Sequence, residues 1–191
     1  MRSLETLETV YFDNRNEWRK WLEENFELKT EVWLIYPKKS SAKPRIVYND
    51  AVEEALCFGW IDSIIKTLDQ EHTIQRFSIR KPKSSYSQAN RERLSWLIHE
   101  GMIHHSIYQT VLDIVQQRFV FPHDILDNIK KDSMVWDKYK RLSAPYRRIR
   151  IAYIDAARKR PEEFQKRLKN FITKTSEGKI IKGFGGIDKY Y

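Results

Sequence analysis

The stretch "ALCFGWID" (residues 55–62) decides the fold of the N-terminal part, because a helix ends and a strand begins within it. In the preceding "YNDAVEEALCFG", the apolar residues share one helical face, and Asn49 or Asp50 starts the helix. Gly59 suits the left-handed conformation that commonly closes a helix. The residues from Trp60 onward favour an extended chain. We therefore predict a helix that ends at Gly59 and a strand that follows it directly.

Strands are predicted on both sides of this helix. Residues 60–82, "WIDSIIKTLDQEHTIQRFSIRKP", contain two segments in which side chains of opposite character alternate, joined by a turn at residues 69–71. This pattern predicts a hairpin. Residues 30–39, "TEVWLIYPKK", form an earlier strand rich in β-branched and aromatic residues, which Pro37 ends.

A helix is predicted before the first strand, in "DNRNEWRKWLEENFEL" (residues 13–28). Asp13 or Asn14 can cap it, and an apolar stripe runs along one face at intervals of four residues, formed by Trp18, Leu22 and Phe26. The N-terminal part is thus predicted to be a small, mostly antiparallel sheet packed by helices.

From Ile103 onward every segment has helical periodicity, with cap residues at Asp132 or Ser133 and at Ser143. The sequence therefore predicts an α+β protein whose C-terminal part is all-helical. The predicted divisions are an α+β domain at residues 1–120, a helical module at residues 121–178 and a Gly-rich tail at residues 179–191.

The charge of the chain is unevenly distributed. The formal net charge of the 191 residues is +9, and residues 1–100 contain 16 basic and 16 acidic side chains, so the whole excess lies in the second part. Two interpretations stay open: a soluble surface rich in lysine and arginine, or a basic face that binds nucleic acid or an acidic partner weakly. The stretch "YRRIRIAYIDAARKR" predicts a basic stripe that includes Arg147, Arg150 and Arg158.

Composition and the chain start predict a cytoplasmic protein. One cysteine cannot form an intrachain disulfide, no apolar run is long enough for a membrane span, and the first residues contain acids where a signal peptide needs an apolar core. "HEGMIH" (residues 99–104) does not have the spacing of a zinc helix, because its two histidines are five residues apart rather than four. We predict no metal site and no cofactor.

Cys57 and Asp62 are the candidates for chemistry in the opening stretch. Cys57 is the only possible thiol nucleophile, but at a helix C-terminus the dipole disfavours the thiolate, which favours a buried packing role. Asp62 follows Trp60 at the start of a strand, where Arg76 or Arg80 could reach it across the hairpin. It is either part of a structural ion pair or a carboxylate in a pocket.

The basic loop "RKPKSSYSQAN" (residues 80–90) is the strongest candidate for ligand binding. It places cations and hydroxyl groups directly before a helix whose cap is Ser87, and such a helix N-terminus attracts anions. Lys38 and Lys39 could add charge at the same edge. The alternative is a capped loop that is only solvated. The residues that carry the loop's chemistry are Arg80, Lys81, Lys83, Ser84, Ser85, Ser87 and Asn90.

These stretches resemble the YdeI/OmpD-associated proteins, also described as bacteriocin-protection proteins. "AVEEALCFGWID" followed by a basic segment with the pattern R-K-P-x-S-x-S-x-x-N carries the resemblance, and "LSAPYRRIRIAYIDAARK" resembles the helical module of the family. The resemblance implies a role in stress or bacteriocin resistance and supplies no cofactor and no catalytic set. The polar landmarks of the family fall on Lys38, Lys39, Glu53, Glu54, Cys57, Trp60, Asp62, Arg80, Ser84, Ser87 and Asn90.

The sequence favours a cytoplasmic accessory protein that binds a small polar or anionic ligand at the sheet edge. Two alternatives stay open: weak, sequence-independent binding of nucleic acid or an acidic partner by the basic C-terminal helices, and an enzyme that uses Cys57 or Asp62. The oligomeric state is not predicted. The ligand-binding residues predicted are Lys38, Lys39, Cys57, Trp60, Asp62, Arg80, Ser84, Ser87 and Asn90.

Overall fold

The structure is a computed structural model that describes residues 6–81, 84–182 and 187–190. Lys83 of the basic loop and the glycines at residues 183, 185 and 186 of the predicted tail lie outside these ranges. The chain forms two compact units. The first comprises Met1–Ser85 and Leu97–Leu112, and the second comprises Tyr86–Trp96 and Asp113–Tyr191. The predicted divisions at residues 120 and 178 stay a prediction.

The first unit contains one mixed sheet of four strands in the order β1-β2-β4-β3. The strands are β1 (Thr9–Val10), β2 (Glu31–Pro37), β3 (Trp60–Thr67) and β4 (His72–Ile79). The β2–β4 and β3–β4 pairs are antiparallel, whereas β1 runs parallel to β2. The predicted hairpin is confirmed, and the sheet is mixed rather than purely antiparallel because of the two-residue strand β1.

Helices α1 (Arg15–Asn25) and α2 (Tyr48–Cys57) complete the core of this unit. The Asn14 side chain caps α1, since its Oδ1 accepts from the backbone N–H groups of residues 16 and 17 at 3.0 and 3.1 Å. Trp18 and Leu22 are fully buried, as their stripe predicts. The indole of Trp18 donates to the carbonyl of Ala51 at 3.0 Å and packs edge-on against Phe77.

The helix-to-strand transition at residues 55–62 is confirmed. Helix α2 ends at Cys57, Gly59 has a φ of +73°, and β3 begins at Trp60. The backbone N–H of Gly59 donates to the carbonyl of Leu56 at 3.2 Å and closes the last turn. Residues other than glycine rarely adopt this φ, so the turn depends on glycine at this position. The start of α2 differs from the prediction, because Val47 occupies the N-cap and provides no side-chain bond.

The second unit is helical, which makes the protein α+β. The helices between residues 123 and 176 pack around one core, which contains Ile125, Tyr139, Tyr146, Leu168 and Phe171. Asp132 and Ser143 cap the helices Ser133–Arg141 and Ala144–Asp155, as predicted. The remaining helices of the chain are α3 (Gln88–His99), α4 (Tyr108–Gln116), α5 (His123–Lys130), α6 (Ser133–Arg141), α7 (Ala144–Asp155) and α8 (Pro161–Ser176).

Short 3-10 helices include Lys39–Ser41, His105–Ile107 and Ile187–Tyr190. In the predicted tail, Tyr190 is buried and packs against Trp96. Among the described residues, no helix combines the length and the apolarity needed to cross a membrane.

Candidate functional site

A pocket of about 460 Å³ opens in the first unit beside the sheet. Strands β2, β3 and β4 provide part of its wall, and the segment that leads into α2 provides the rest. Ile46 is buried, whereas Ile65 on β3 is 63% exposed, so apolar surface extends from the wall to the rim. The lining residues are Tyr36, Arg45, Ile46, Val47, Tyr48, Ile65, Thr73 and Gln75.

Asp62 holds two of the lining side chains in place. Its Oδ2 accepts from the hydroxyl of Tyr48 at 2.7 Å and from the amide nitrogen of Gln75 at 2.9 Å. Gln75 is buried although it is polar, and this bond gives its amide nitrogen an acceptor. Since the amide nitrogen faces Asp62, the carbonyl oxygen of Gln75 is left as an acceptor.

Neither of the two arginines predicted to reach Asp62 contacts it. Asp62 lies opposite Phe77 in the β3–β4 register, so it shares a face with Phe77 and Gln75, whereas Arg76 points to the other face. Arg76 binds Glu31 instead, with its Nε at 2.9 Å from the carboxylate. Arg80 donates to the backbone carbonyl of Ser85. The predicted Asp–Arg pair is therefore wrong.

The hydroxyl of Tyr36 is a buried polar group in the wall of the pocket. The residue is only 8% exposed, and its hydroxyl oxygen is buried without a hydrogen-bond partner among the described residues. Burial raises the pKa of this phenol, the nearby Tyr48 and Asp62 raise it further, and the Arg45 cation partly opposes them. The hydroxyl therefore stays protonated at neutral pH and is a hydrogen-bond donor.

Arg45 provides a cation in the pocket wall. Its Nη1 donates to the carbonyl of Pro37 at 2.8 Å, which fixes one edge of the guanidinium group. Sequence reasoning missed Tyr36, Arg45 and Gln75 as site residues. The signal for Gln75 was present, because it is a polar residue within the apolar face of a strand that also holds Phe77.

Cys57 and Trp60 are core residues. Cys57 is fully buried, and burial together with the nearby Glu54 carboxylate raises the pKa of its thiol to about 12. A thiol with this pKa is protonated at neutral pH and is a poor nucleophile. Trp60 is buried, and its indole donates to the carbonyl of Phe26 at 3.2 Å.

The Glu54 carboxylate beside Cys57 belongs to a buried ion-pair network between α1 and α2. Arg15 contacts Glu54 and also lies 3.5 Å from Glu53, and Arg19 binds Glu54 at 2.7 Å. Both glutamates are buried. The arginines of α1 thus balance the charge of two carboxylates of α2, and the network holds the two helices together. Both carboxylates are landmarks of the family resemblance.

Lys38 and Lys39 lie near the turn of the hairpin. The Lys38 ammonium group donates to the backbone carbonyls of Asp69 and Gln70 at 3.3 and 2.9 Å, so it stabilises the turn. Lys39 is exposed in the 3-10 helix that follows β2. Neither lysine lines the pocket.

The described residues of the basic loop contact their own neighbours. Ser84 donates to the carbonyl of Lys81 at 2.8 Å. Ser87 caps α3, because its hydroxyl accepts from the backbone N–H of Asn90 at 3.2 Å, and the Asn90 side chain accepts from Arg93 at 2.8 Å. These contacts are those of a capped loop, and the anion site predicted here stays a prediction.

The three arginines of the predicted basic stripe do not share an exposed helix face. Arg150 is buried, and its guanidinium group stacks on Tyr146. Helix α7 ends at Asp155, so Arg158 lies beyond it, where it pairs with Asp124 at 2.8 Å. Nucleic-acid binding by this part of the chain stays a prediction without support from these contacts.

Two family models match the chain. Residues 10–110 match the model described as "Domain of unknown function (DUF8412)". This match covers more than half of the chain. Residues 118–178 match "Bacteriocin-protection, YdeI or OmpD-Associated", which confirms the resemblance for the helical part. The N-terminal motifs that carried the resemblance fall within the first match instead. Neither a curated protein nor a solved structure matches the chain.

Proposed function

The chain belongs to the family of the domain of unknown function DUF8412, and we propose that its first unit binds a small polar ligand in the pocket lined by Tyr36, Arg45 and Gln75. The ligand carries a carboxylate or carbonyl group that accepts hydrogen bonds, and a donor group beside it. Free amino acids and small hydroxy acids have this chemistry.

The buried hydroxyl of Tyr36 is the observation that carries the proposal. Buried polar groups almost always have a hydrogen-bond partner, and leaving one without a partner costs about 1–3 kcal/mol. The hydroxyl belongs to a residue that lines a pocket and has no partner within the described chain. An acceptor atom of a bound ligand would supply the missing partner.

The other polar groups of the pocket define which ligand fits. Arg45 is the cation of the lining, and a guanidinium group prefers a carboxylate. The carbonyl oxygen of Gln75 is an acceptor, and it is held in orientation by Asp62. Asp62 is therefore a positioning residue in this proposal. The buried side chain of Ile46 adds an apolar wall beside these polar groups.

The experiment is a thermal-shift and NMR titration of the full chain with free amino acids and small hydroxy acids as probes. Amines and alcohols that lack the carboxylate are the matched probe controls. We expect at least one acid to raise the melting temperature and its matched amine or alcohol to have no effect. Arg45→Gln and Tyr36→Phe should each weaken this binding about tenfold, the effect of one well-made hydrogen bond to a charged or buried group.

Lys39→Gln is the control variant, because Lys39 is an exposed cation of the same unit that does not line the pocket. It should bind the same acids as the unchanged protein. The proposal is contradicted if no acid of the panel binds, or if Arg45→Gln and Tyr36→Phe bind as tightly as Lys39→Gln.

For the whole chain we propose a cytoplasmic accessory role in stress or bacteriocin resistance. The match of residues 118–178 to a family described as bacteriocin-protection supports this role. Deleting the gene in its host should raise the sensitivity of the cells to bacteriocin, and expression of the Arg45→Gln variant should restore resistance less well than the Lys39→Gln variant. Equal sensitivity of the deletion strain and its parent would rule out the role.

A further inference from the structure

A second cavity lies in the helical unit, in the groove between α7 and α8. Its volume is about 250 Å³. Residues spaced three and four apart on each helix form its walls, and Ile181 adds to the apolar surface. The lining residues are Arg150, Tyr153, Ile154, Glu163, Lys166, Arg167, Asn170, Phe171 and Ile181.

The groove is electropositive. Its lining contains three cationic side chains and one carboxylate, so its formal charge is +2. The carboxylate, Glu163, is already bound by Arg167 at 2.7 Å, and this bond lowers the pKa of Glu163. Within the described part of the chain, the ammonium group of Lys166 makes no hydrogen bond and no ion pair. An anion in the groove would therefore have a cation to bind without displacing Glu163.

The guanidinium group of Arg167 is held rigidly. It stacks on the ring of Tyr153, with its central carbon 3.7 Å from the ring centroid, and its Nη1 donates to the Tyr153 carbonyl at 2.7 Å. Its side chain is only 14% exposed. The positive charge is thus fixed at the wall of the groove, and an anion meets a site whose geometry is already set.

The floor of the groove is apolar. Phe171 and Ile154 are buried core residues, and Ile181 packs against the same core. Apolar side chains at the floor and cations at the wall suit a ligand with an apolar body and an anionic head. A cavity of about 150 Å³ is known to hold one benzene ring, so this larger groove has room for one ring and a carboxylate.

We propose that the groove between α7 and α8 binds a small aromatic carboxylate, with the ring on Phe171 and Ile154 and the carboxylate beside Lys166 and Arg167. The site is independent of the pocket in the first unit. All of its lining residues except Ile181 lie within residues 118–178, the part of the chain that matches the bacteriocin-protection family model.

The test is a ¹⁵N–¹H NMR titration of the full chain with benzoate. Benzyl alcohol has the same ring without the charge, and benzylamine reverses the charge. We expect saturable shifts at the amides of Ile154, Phe171 and their neighbours, with a Kd of about 1 mM for a ligand of this size. Benzyl alcohol should bind more weakly, and benzylamine should cause no saturable shift.

Lys166→Gln should weaken benzoate binding about three- to fivefold, as expected for an exposed charge. Lys169→Gln is the matched control, because Lys169 is an exposed lysine of the same helix that does not line the groove. It should leave the Kd unchanged, and so should Arg45→Gln, which acts only on the other pocket. Equal weakening by both lysine variants, shifts that map outside the groove, or no saturation by about 20 mM benzoate would overturn the proposal.

Discussion

The substitution Tyr36→Phe should stabilise the protein, contrary to what is usual when a buried side chain loses an atom. The change removes one hydroxyl group and leaves the ring in place. The hydroxyl is buried and has no partner among the described residues, so the folded state pays for its desolvation and gains no hydrogen bond in return.

The expected gain follows from that cost. An unpaired buried polar group costs about 1–3 kcal/mol, and the small cavity left by one oxygen atom offsets part of the gain. We expect the free energy of unfolding to rise by about 1 kcal/mol, which corresponds to a higher melting temperature by roughly 2–4 °C in a chain of this length.

Tyr146→Phe is the matched control with the opposite sign. Tyr146 is also buried, but its hydroxyl accepts from the backbone N–H of Ile181 at 2.9 Å. Its removal takes the partner from that N–H group, so the free energy of unfolding should fall by about 0.5–1.5 kcal/mol.

Urea unfolding followed by tryptophan fluorescence measures both variants, with the midpoint compared at an unchanged m-value. With a saturating ligand, the unchanged protein should become more stable to unfolding than Tyr36→Phe, because only the unchanged protein makes the hydrogen bond from the hydroxyl to the ligand. If Tyr36→Phe lowers the free energy of unfolding by about 1 kcal/mol or more without ligand, the hydroxyl already has a partner. The Tyr36 hydroxyl is then not available to donate to a ligand, and its proposed role in binding is refuted.

Three further predictions concern the rest of the first unit. Cys57 should not react with a thiol reagent at pH 8 in the folded protein and should react fully in urea, because burial keeps the thiol protonated with a pKa of about 12; stoichiometric reaction of the folded protein would contradict this. Gly59→Ala should lower the free energy of unfolding by about 1–2 kcal/mol, since a Cβ at this position meets no atom closer than 3.6 Å and only the positive φ is costly. Gly101→Ala, at a φ of +66° with no neighbour within 4 Å, should have a similar effect, and a negligible change in both would refute the conformational argument. The hydrogen bond from His72 lowers the pKa of Asp69, so this group stabilises the fold above the ordinary pKa of 3.8 and loses that contribution as the pH falls through its lower folded value; Asp69→Asn should therefore flatten the decrease in stability below about pH 4.

Local signals in the sequence predicted most of the secondary structure correctly. Caps such as Asn14 and Ser143 act within one helical turn, and Gly59 determines its own turn, so these positions can be recognised without the rest of the fold. Strand β1 (Thr9–Val10) was missed because two residues carry no periodicity. It is a strand only because it pairs with β2, which is distant in the sequence.

The candidate site depends on pairing that the sequence does not show. Tyr36 on β2 and Asp62 on β3 come close because β4 lies between their strands and brings Gln75 to both. The strand order is set by contacts between distant segments. Arg76 was predicted to face Asp62 because it is near in the hairpin, but the alternation of side chains places it on the opposite face. Asp62 was predicted as a site residue, but its hydrogen-bond partners could be identified only from the pairing register of the strands.

The irregular pairing of β3 has a consequence for how molecules of this protein behave at high concentration. β3 lies at an edge of the sheet, and its register shifts between Asp62 and Ile65. The outer backbone of an edge strand is a template on which a strand of another molecule can form, and the exposed Ile64 and Ile65 would favour that association. A bulge interrupts the row of backbone groups that such growth requires. The bulge between Asp62 and Ile65, beside the rim of the pocket, therefore protects the protein against aggregation by strand addition.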